Sequence, residues 1–77
     1  MVRRIYENYE NYVPADKVKV GDRINGHEKG WLTVKKVNVV RVGKRIIRVV
    51  ITVEGMNGVE DITYRAIGGD VERVEVV

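Results

Sequence analysis

Apolar and polar residues alternate with a period of two through most of the chain after residue 15, and that period predicts strands. Val18 and Val20 alternate with Lys17 and Lys19, Gly21-Asp22 gives a turn or bulge signal, and Arg23 and Ile24 resume the first strand. Asn25-Gly26 is a tight-turn dipeptide because both residues tolerate positive φ, so polar residues 25–30 read as a loop. Residues 31–53, WLTVKKVNVVRVGKRIIRVVITV, hold two β-branched runs joined at Gly43-Lys44 and predict a long hairpin. After the turn at residues 54–58, Ile62 and Tyr64 take one face of a strand and Asp61, Thr63 and Arg65 the other. A loop at residues 67–70 leads to a last strand over 71–77, with Val74 and Val76 inward and Arg73 and Glu75 outward. Short strands with turns about every ten residues predict an all-β fold: a small five-stranded barrel or rolled antiparallel sheet.

The hairpin breaks its own pattern. With Gly43-Lys44 as a two-residue type II′ turn, Val42 faces Arg45, Val40 faces Ile47 and Asn38 faces Val49. One face then collects Val40, Val42, Ile47, Val49, Ile51 and Val53. The other collects Val37, Val39, Ile46 and Val50, with Arg41 and Arg48 among them. A ribbon apolar on both faces needs a second cover besides its own interior, and this makes Val37, Val39, Ile46 and Val50 a candidate partner interface. A bulge at Lys35-Lys36 is the alternative, because it moves Val37 and Val39 to the inner face.

A chain of 77 residues holds one domain, since it cannot bury enough surface for two cores. Residues 1–14 read as a tyrosine-rich arm and residues 15–77 as the domain. Tyr6, Tyr9 and Tyr12 recur every third residue, and Pro14 ends whatever precedes it. Tyrosine offers large contact area with a polar tip at low entropic cost, so the three rings are candidate partner contacts, with a terminal segment lying on the barrel wall as the plainer alternative. With no Cys, neither a disulfide framework nor a thiolate metal site is expected. The sequence carries no signal-peptide pattern and no apolar run long enough to span a bilayer, so a soluble, intracellular, cytoplasmic protein away from membranes is expected.

Charge changes this picture more than composition does. Residues 1–34 sum to +1, whereas residues 35–53 carry Lys35, Lys36, Arg41, Lys44, Arg45 and Arg48 with no acid, giving +6. Residues 54–77 set Arg65 and Arg73 against Glu54, Glu60, Asp61, Asp70, Glu72 and Glu75, giving −4. The six hairpin cations are candidate DNA or RNA contacts, because a two-stranded basic ribbon fits a major groove. The alternative is that they pair within the molecule, notably with Glu60, Asp61, Glu72 and Glu75.

Catalysis has little to work with. The chain has no Cys and no Ser, its threonines fall within predicted strands, and His27 is the one histidine, in a polar loop beside Glu28. Glu60 and Asp61 are neighbours on a strand and point to opposite faces. The glycines have neither phosphate-loop nor dinucleotide spacing, and Trp31 reads as a barrel-wall or core residue. A non-enzymatic binding module is expected, with no cofactor, no metal and no small-molecule substrate.

The segment Val18-Lys19-Val20-Gly21-Asp22-Arg23-Ile24, then Gly30-Trp31-Leu32-Thr33-Val34, then a basic hairpin and Val71-Glu72-Arg73-Val74, resembles small SH3-like barrels. These include short proteins encoded by bacteriophages and their hosts. The resemblance covers residues 15–77. It implies an adaptor or a nucleic-acid binder; the apolar face and the tyrosine arm are what suggest a protein partner, either a host protein or a second copy of the chain. The first expectation is weak, sequence-independent nucleic-acid binding through the hairpin; the second is a protein-interaction module using the apolar face and the tyrosine arm.

Overall fold

The computed structural model describes residues 11–77. Among these residues seven strands follow one another: β1 (Tyr12–Pro14), β2 (Arg23–Asn25), β3 (Trp31–Val42), β4 (Arg45–Gly55), β5 (Gly58–Ile67), β6 (Asp70–Val71) and β7 (Arg73–Glu75). Single turns of 3-10 helix occupy Ala15–Lys17 and His27–Lys29. Strands β2 to β6 form one antiparallel sheet in chain order, curled into a half-barrel, and β1 pairs with β7 beside it. A bridge between Ile24 and Val76 ties that pair back to β2.

Two bulges in the β3–β4 ladder set which side chains reach the interior. Val34 lies opposite Val53 but Lys36 lies opposite Thr52, so Lys35 is an extra residue in β3. Val40 lies opposite Arg48 while Arg41 lies opposite Ile46, so Ile47 is an extra residue in β4. Each bulge moves the strand's inward phase by one residue and strengthens its bend. Val34, Val37 and Val39 therefore share the inner face with Ile46, Val49, Ile51 and Val53. Ile62 and Tyr64 of β5 join them opposite Ile51 and Val49, while Thr63 and Arg65 fall on the outer face, as the alternation predicts.

The register around the turn departs from the simple two-residue expectation at this second bulge. Val42 does face Arg45, but Val40 faces Arg48 rather than Ile47, and Asn38 faces Val50 rather than Val49. The proposed second apolar face dissolves accordingly. Val37, Val39 and Ile46 pack against the core, and of the four residues Val50 alone lies on the outer face.

The core is built from Ala15, Val18, Ile24, Leu32, Val34, Val49, Ile51, Val53 and Val74. Leu32 is held between two glycines. A β-carbon at Gly55 would stand 2.5 Å from its Cδ2, and one at Gly26 2.6 Å from its Cδ1. Trp31, expected in the wall or core, is 42% exposed at the end of the β2–β3 ladder, opposite Asn25.

Two predicted strands are shorter than their patterns. The segment before β2 turns instead of extending, because the Lys19 amide donates to Asp22 Oδ2 at 2.9 Å and the Asp22 amide to the Lys19 carbonyl at 3.0 Å. Val18 is buried from outside any strand, and Val20 is 68% exposed. The last strand breaks at Glu72, whose amide donates to the Arg65 carbonyl on β5 and whose carbonyl accepts from the Ala15 amide. There the chain leaves β5 and joins β1. Loop residues 25–30 hold a 3-10 turn, begun when Asn25 Oδ1 accepts the His27 amide at 2.7 Å.

Candidate nucleic-acid interface

The outer end of the β3–β4 hairpin stands clear of the sheet. Strand β2 pairs with β3 through Trp31, Leu32 and Thr33, and the Val34 amide donates to the Asp22 carbonyl; among the described residues no strand borders β3 from 36 to 42 on that side. On the other side the β4–β5 ladder ends at Arg48 and Arg65, leaving residues 45–47 without a β5 partner. The connecting turn has positive φ at Gly43 (61°) and not at Lys44, the combination a type II′ turn requires. Its backbone twist suits the strands it joins, and beyond the Ile47 bulge the pairing resumes at Arg41–Ile46 and Val42–Arg45 up to the tip.

Five of the six hairpin cations, Lys36, Arg41, Lys44, Arg45 and Arg48, are exposed and form no ion pair among the described residues. Lys35, the bulged residue, is the exception, with its Nζ 3.5 Å from Glu54 Oε1. The carboxylates expected to neutralise the hairpin are engaged elsewhere. Glu60 binds Lys29 Nζ, Asp61 accepts from the Thr52 hydroxyl at 2.6 Å, Glu72 accepts the Arg65 amide at 2.5 Å, and Glu75 accepts from Asn25 Nδ2 at 2.8 Å. Intramolecular pairing therefore accounts for one hairpin cation.

The outer face is ordered in rows across three strands. Lys36, Thr52 and Asp61 form one row, Asn38, Val50 and Thr63 the next, and Val40, Arg48 and Arg65 the third; Val42 and Arg45 follow beyond the end of β5. Arg48 and Arg65 are thus directly opposite. Like charges so placed oppose sheet formation by about 0.2–1 kcal/mol. Among the described residues the rows from Lys36 to Arg45 carry no aromatic ring, so the ribbon itself offers charge and hydrogen bonds; the one ring on this face of β3, Trp31, is 42% exposed at the other end of the strand. Arg41 lies on the other side of the ribbon, opposite Ile46, and borders an open groove of about 400 Å³ with Lys44, Arg45, Ile46 and Gly69.

Sequence reasoning missed Arg65, which it placed in the acidic third of the chain. The signal was present: Gly55 and Gly58 flank a two-residue turn, and counting back from that pair brings Arg65 opposite Arg48.

The candidate partner residues fare differently. Tyr6 and Tyr9 lie outside the described residues. Tyr12 belongs to β1, opposite Glu75, is half-buried, and its carbonyl accepts from Arg73 Nη1 at 3.4 Å. It is part of the fold. His27 is exposed, in a left-handed conformation at φ 58°. Tyr64 is half-buried on the inner face; burial first and the Glu72 carboxylate second push its phenol above the ordinary value of 10.0.

Comparison with protein-family models, curated proteins and solved structures gives no match to this chain.

Proposed function

We propose that the protein is a non-enzymatic binding module that holds nucleic acid weakly and without sequence preference through the β3–β4 ribbon. The observation that carries this reading is the set of five exposed cations, in no ion pair among the described residues, on a protruding two-stranded element whose candidate carboxylates serve other donors. Two strands about 4.8 Å apart, with side chains, make a body that a major groove about 12 Å wide admits. Lys36, Arg45, Arg48 and Arg65 on one side, and Arg41 and Lys44 at the tip, would meet phosphates. Rows without rings from Lys36 to Arg45 favour backbone contact over base stacking along the ribbon. The resemblance to SH3-like barrels that bind nucleic acid agrees with this reading but adds no residue to it.

The test is a titration of labelled duplex and single-stranded DNA at two salt concentrations. Binding that weakens steeply with salt supports the proposal, and absent or salt-independent binding rejects it.

A second reading has one observation in its favour. Among the described residues no strand pairs with residues 36–42 of β3 on the side away from β4, the arrangement that accepts an added strand from a partner protein or a second copy. An Arg41→Pro variant, compared with Arg41→Ala, tests it by removing a backbone donor that faces the open edge, whereas the Val40 amide faces β4; a partner or dimer lost with the proline and kept with the alanine, in a protein that still folds, supports strand addition.

A further inference from the structure

We infer that the groove at the hairpin tip, which shares Arg45 with the last row of the outer face, is a site for a single phosphate monoester. The inference rests on the nucleic-acid reading for its setting, but its chemistry stands on the groove. Arg41 approaches from the inner side of the ribbon, Arg45 from the outer side, and Lys44 from the turn between them. No acidic side chain lines the groove, and none of the three cations is in an ion pair among the described residues.

The opposite wall is the Gly68-Gly69 turn, with φ of 60° and 88°. A β-carbon built at Gly69 would have no heavy atom within 4 Å, so this wall is open backbone that a ligand oxygen can approach. Ile46 supplies the apolar floor and packs on the core, which anchors the groove to the rigid part of the sheet.

Charge density decides which phosphate fits. A monoester carries about −1.5 to −2 at pH 7 and has three strong acceptor oxygens. A backbone diester carries one charge and recurs along a strand, which suits the extended rows around Arg48 and Arg65. Three cations gathered on one hollow suit a single group of higher charge. Two planar guanidinium forks and one ammonium can satisfy three oxygens together. The monoester can come from a 5′-phosphorylated nucleic-acid end or from a free nucleotide.

The test has two arms on the full chain. In the first, the Lys44 and Gly69 amide resonances are followed by NMR during titration with inorganic phosphate, a nucleoside 5′-monophosphate and the same nucleoside without phosphate. Saturable shifts with both phosphate probes and none with the nucleoside are expected. In the second, affinity is measured for one duplex with 5′-phosphate ends and with 5′-hydroxyl ends. About 10- to 30-fold tighter binding of the phosphorylated duplex is expected, the factor that a monoester's charge of about −1.5 to −2 gives about 4 Å from a cation in water.

Arg41→Gln should bring the ratio of the two affinities to one, and Arg41→Lys should keep most of it. Shifts without a duplex preference support the site and assign it to the free nucleotide. Absence of shifts with both phosphate probes, together with equal duplex affinities, overturns the inference. Should neither duplex bind at all, the nucleic-acid reading fails while the resonance shifts still decide the groove.

Discussion

Replacing Arg65 by Thr should make the protein more stable at low salt while weakening its hold on nucleic acid. Arg48 and Arg65 face each other across β4 and β5, both exposed and neither in an ion pair among the described residues. Directly opposed residues sit about 4.5–5.5 Å apart at Cα. Two unit charges about 5.5 Å apart in water repel by about 0.8 kcal/mol. The guanidinium heads splay outward, so a term of about 0.5 kcal/mol is expected, within the span measured for opposed pairs. For a domain this small that corresponds to about 2–4 °C in Tm.

Other charges bear on Arg65, above all Glu72, which accepts its amide. A double-mutant cycle with Arg48→Thr and Arg65→Thr removes them and isolates the arginine–arginine coupling. Urea unfolding of the four proteins at about 0.01 M and about 1 M salt, where the Debye length falls from about 30 to 3 Å, reads it. The coupling should be present at low salt and vanish at high salt, and Arg65→Lys should gain nothing. A coupling of zero at low salt, or one indifferent to salt, would refute the opposed-charge argument.

Three further outcomes follow from particular contacts. Gly55→Ala places a β-carbon 2.5 Å from Leu32 Cδ2 and should cost about 1–3 kcal/mol in urea unfolding, with Leu32→Val relieving part of the loss; additive effects of the two changes would contradict the clamp. Lys35→Ala should weaken duplex binding less than Arg48→Ala at equal salt, because Lys35 already faces Glu54 at 3.5 Å; equal losses would count against that distinction. The raised Tyr64 pKa means that the folded chain keeps its phenol proton where the unfolded chain releases it. Stability from this source is complete below pH 10 and lost as pH rises beyond it, so the fall in urea midpoint above about pH 10 should shrink in Tyr64→Phe.

Much of the fold is legible in the residues because a period of two is hard to counterfeit. The β5 alternation of Ile62 and Tyr64 against Thr63 and Arg65, and the turns at Gly43-Lys44 and before Gly58, are local signals that the structure keeps. The hairpin register was harder to read because two bulges interrupt the period. Yet they leave a trace: Val34 to Val37 and Ile46 to Val49 are apolar pairs three apart, the spacing left by an inserted residue in a strand of otherwise even period.

The segment before β2 misled for another reason. Val18 and Val20 alternate like a strand, but the Asp22 carboxylate competes for the Lys19 amide and closes a turn. Composition located the basic ribbon, whereas the absence of ion pairs at all its cations but Lys35 among the described residues could not be read that way. It depends on Thr52, Asn25, Lys29 and the Arg65 amide occupying the acids first, which only the three-dimensional arrangement reveals.

The most direct test of the ribbon as the phosphate-contacting element compares salt slopes of duplex binding for the natural chain and for Arg45→Gln/Arg48→Gln. Each phosphate contact contributes a slope of about −0.9 in log K against log salt. The natural chain should show about −3.6 or steeper if four contacts form, and the double variant should be shallower by about 1.8. Equal slopes for the two proteins, or a natural chain whose binding ignores salt, would contradict the account.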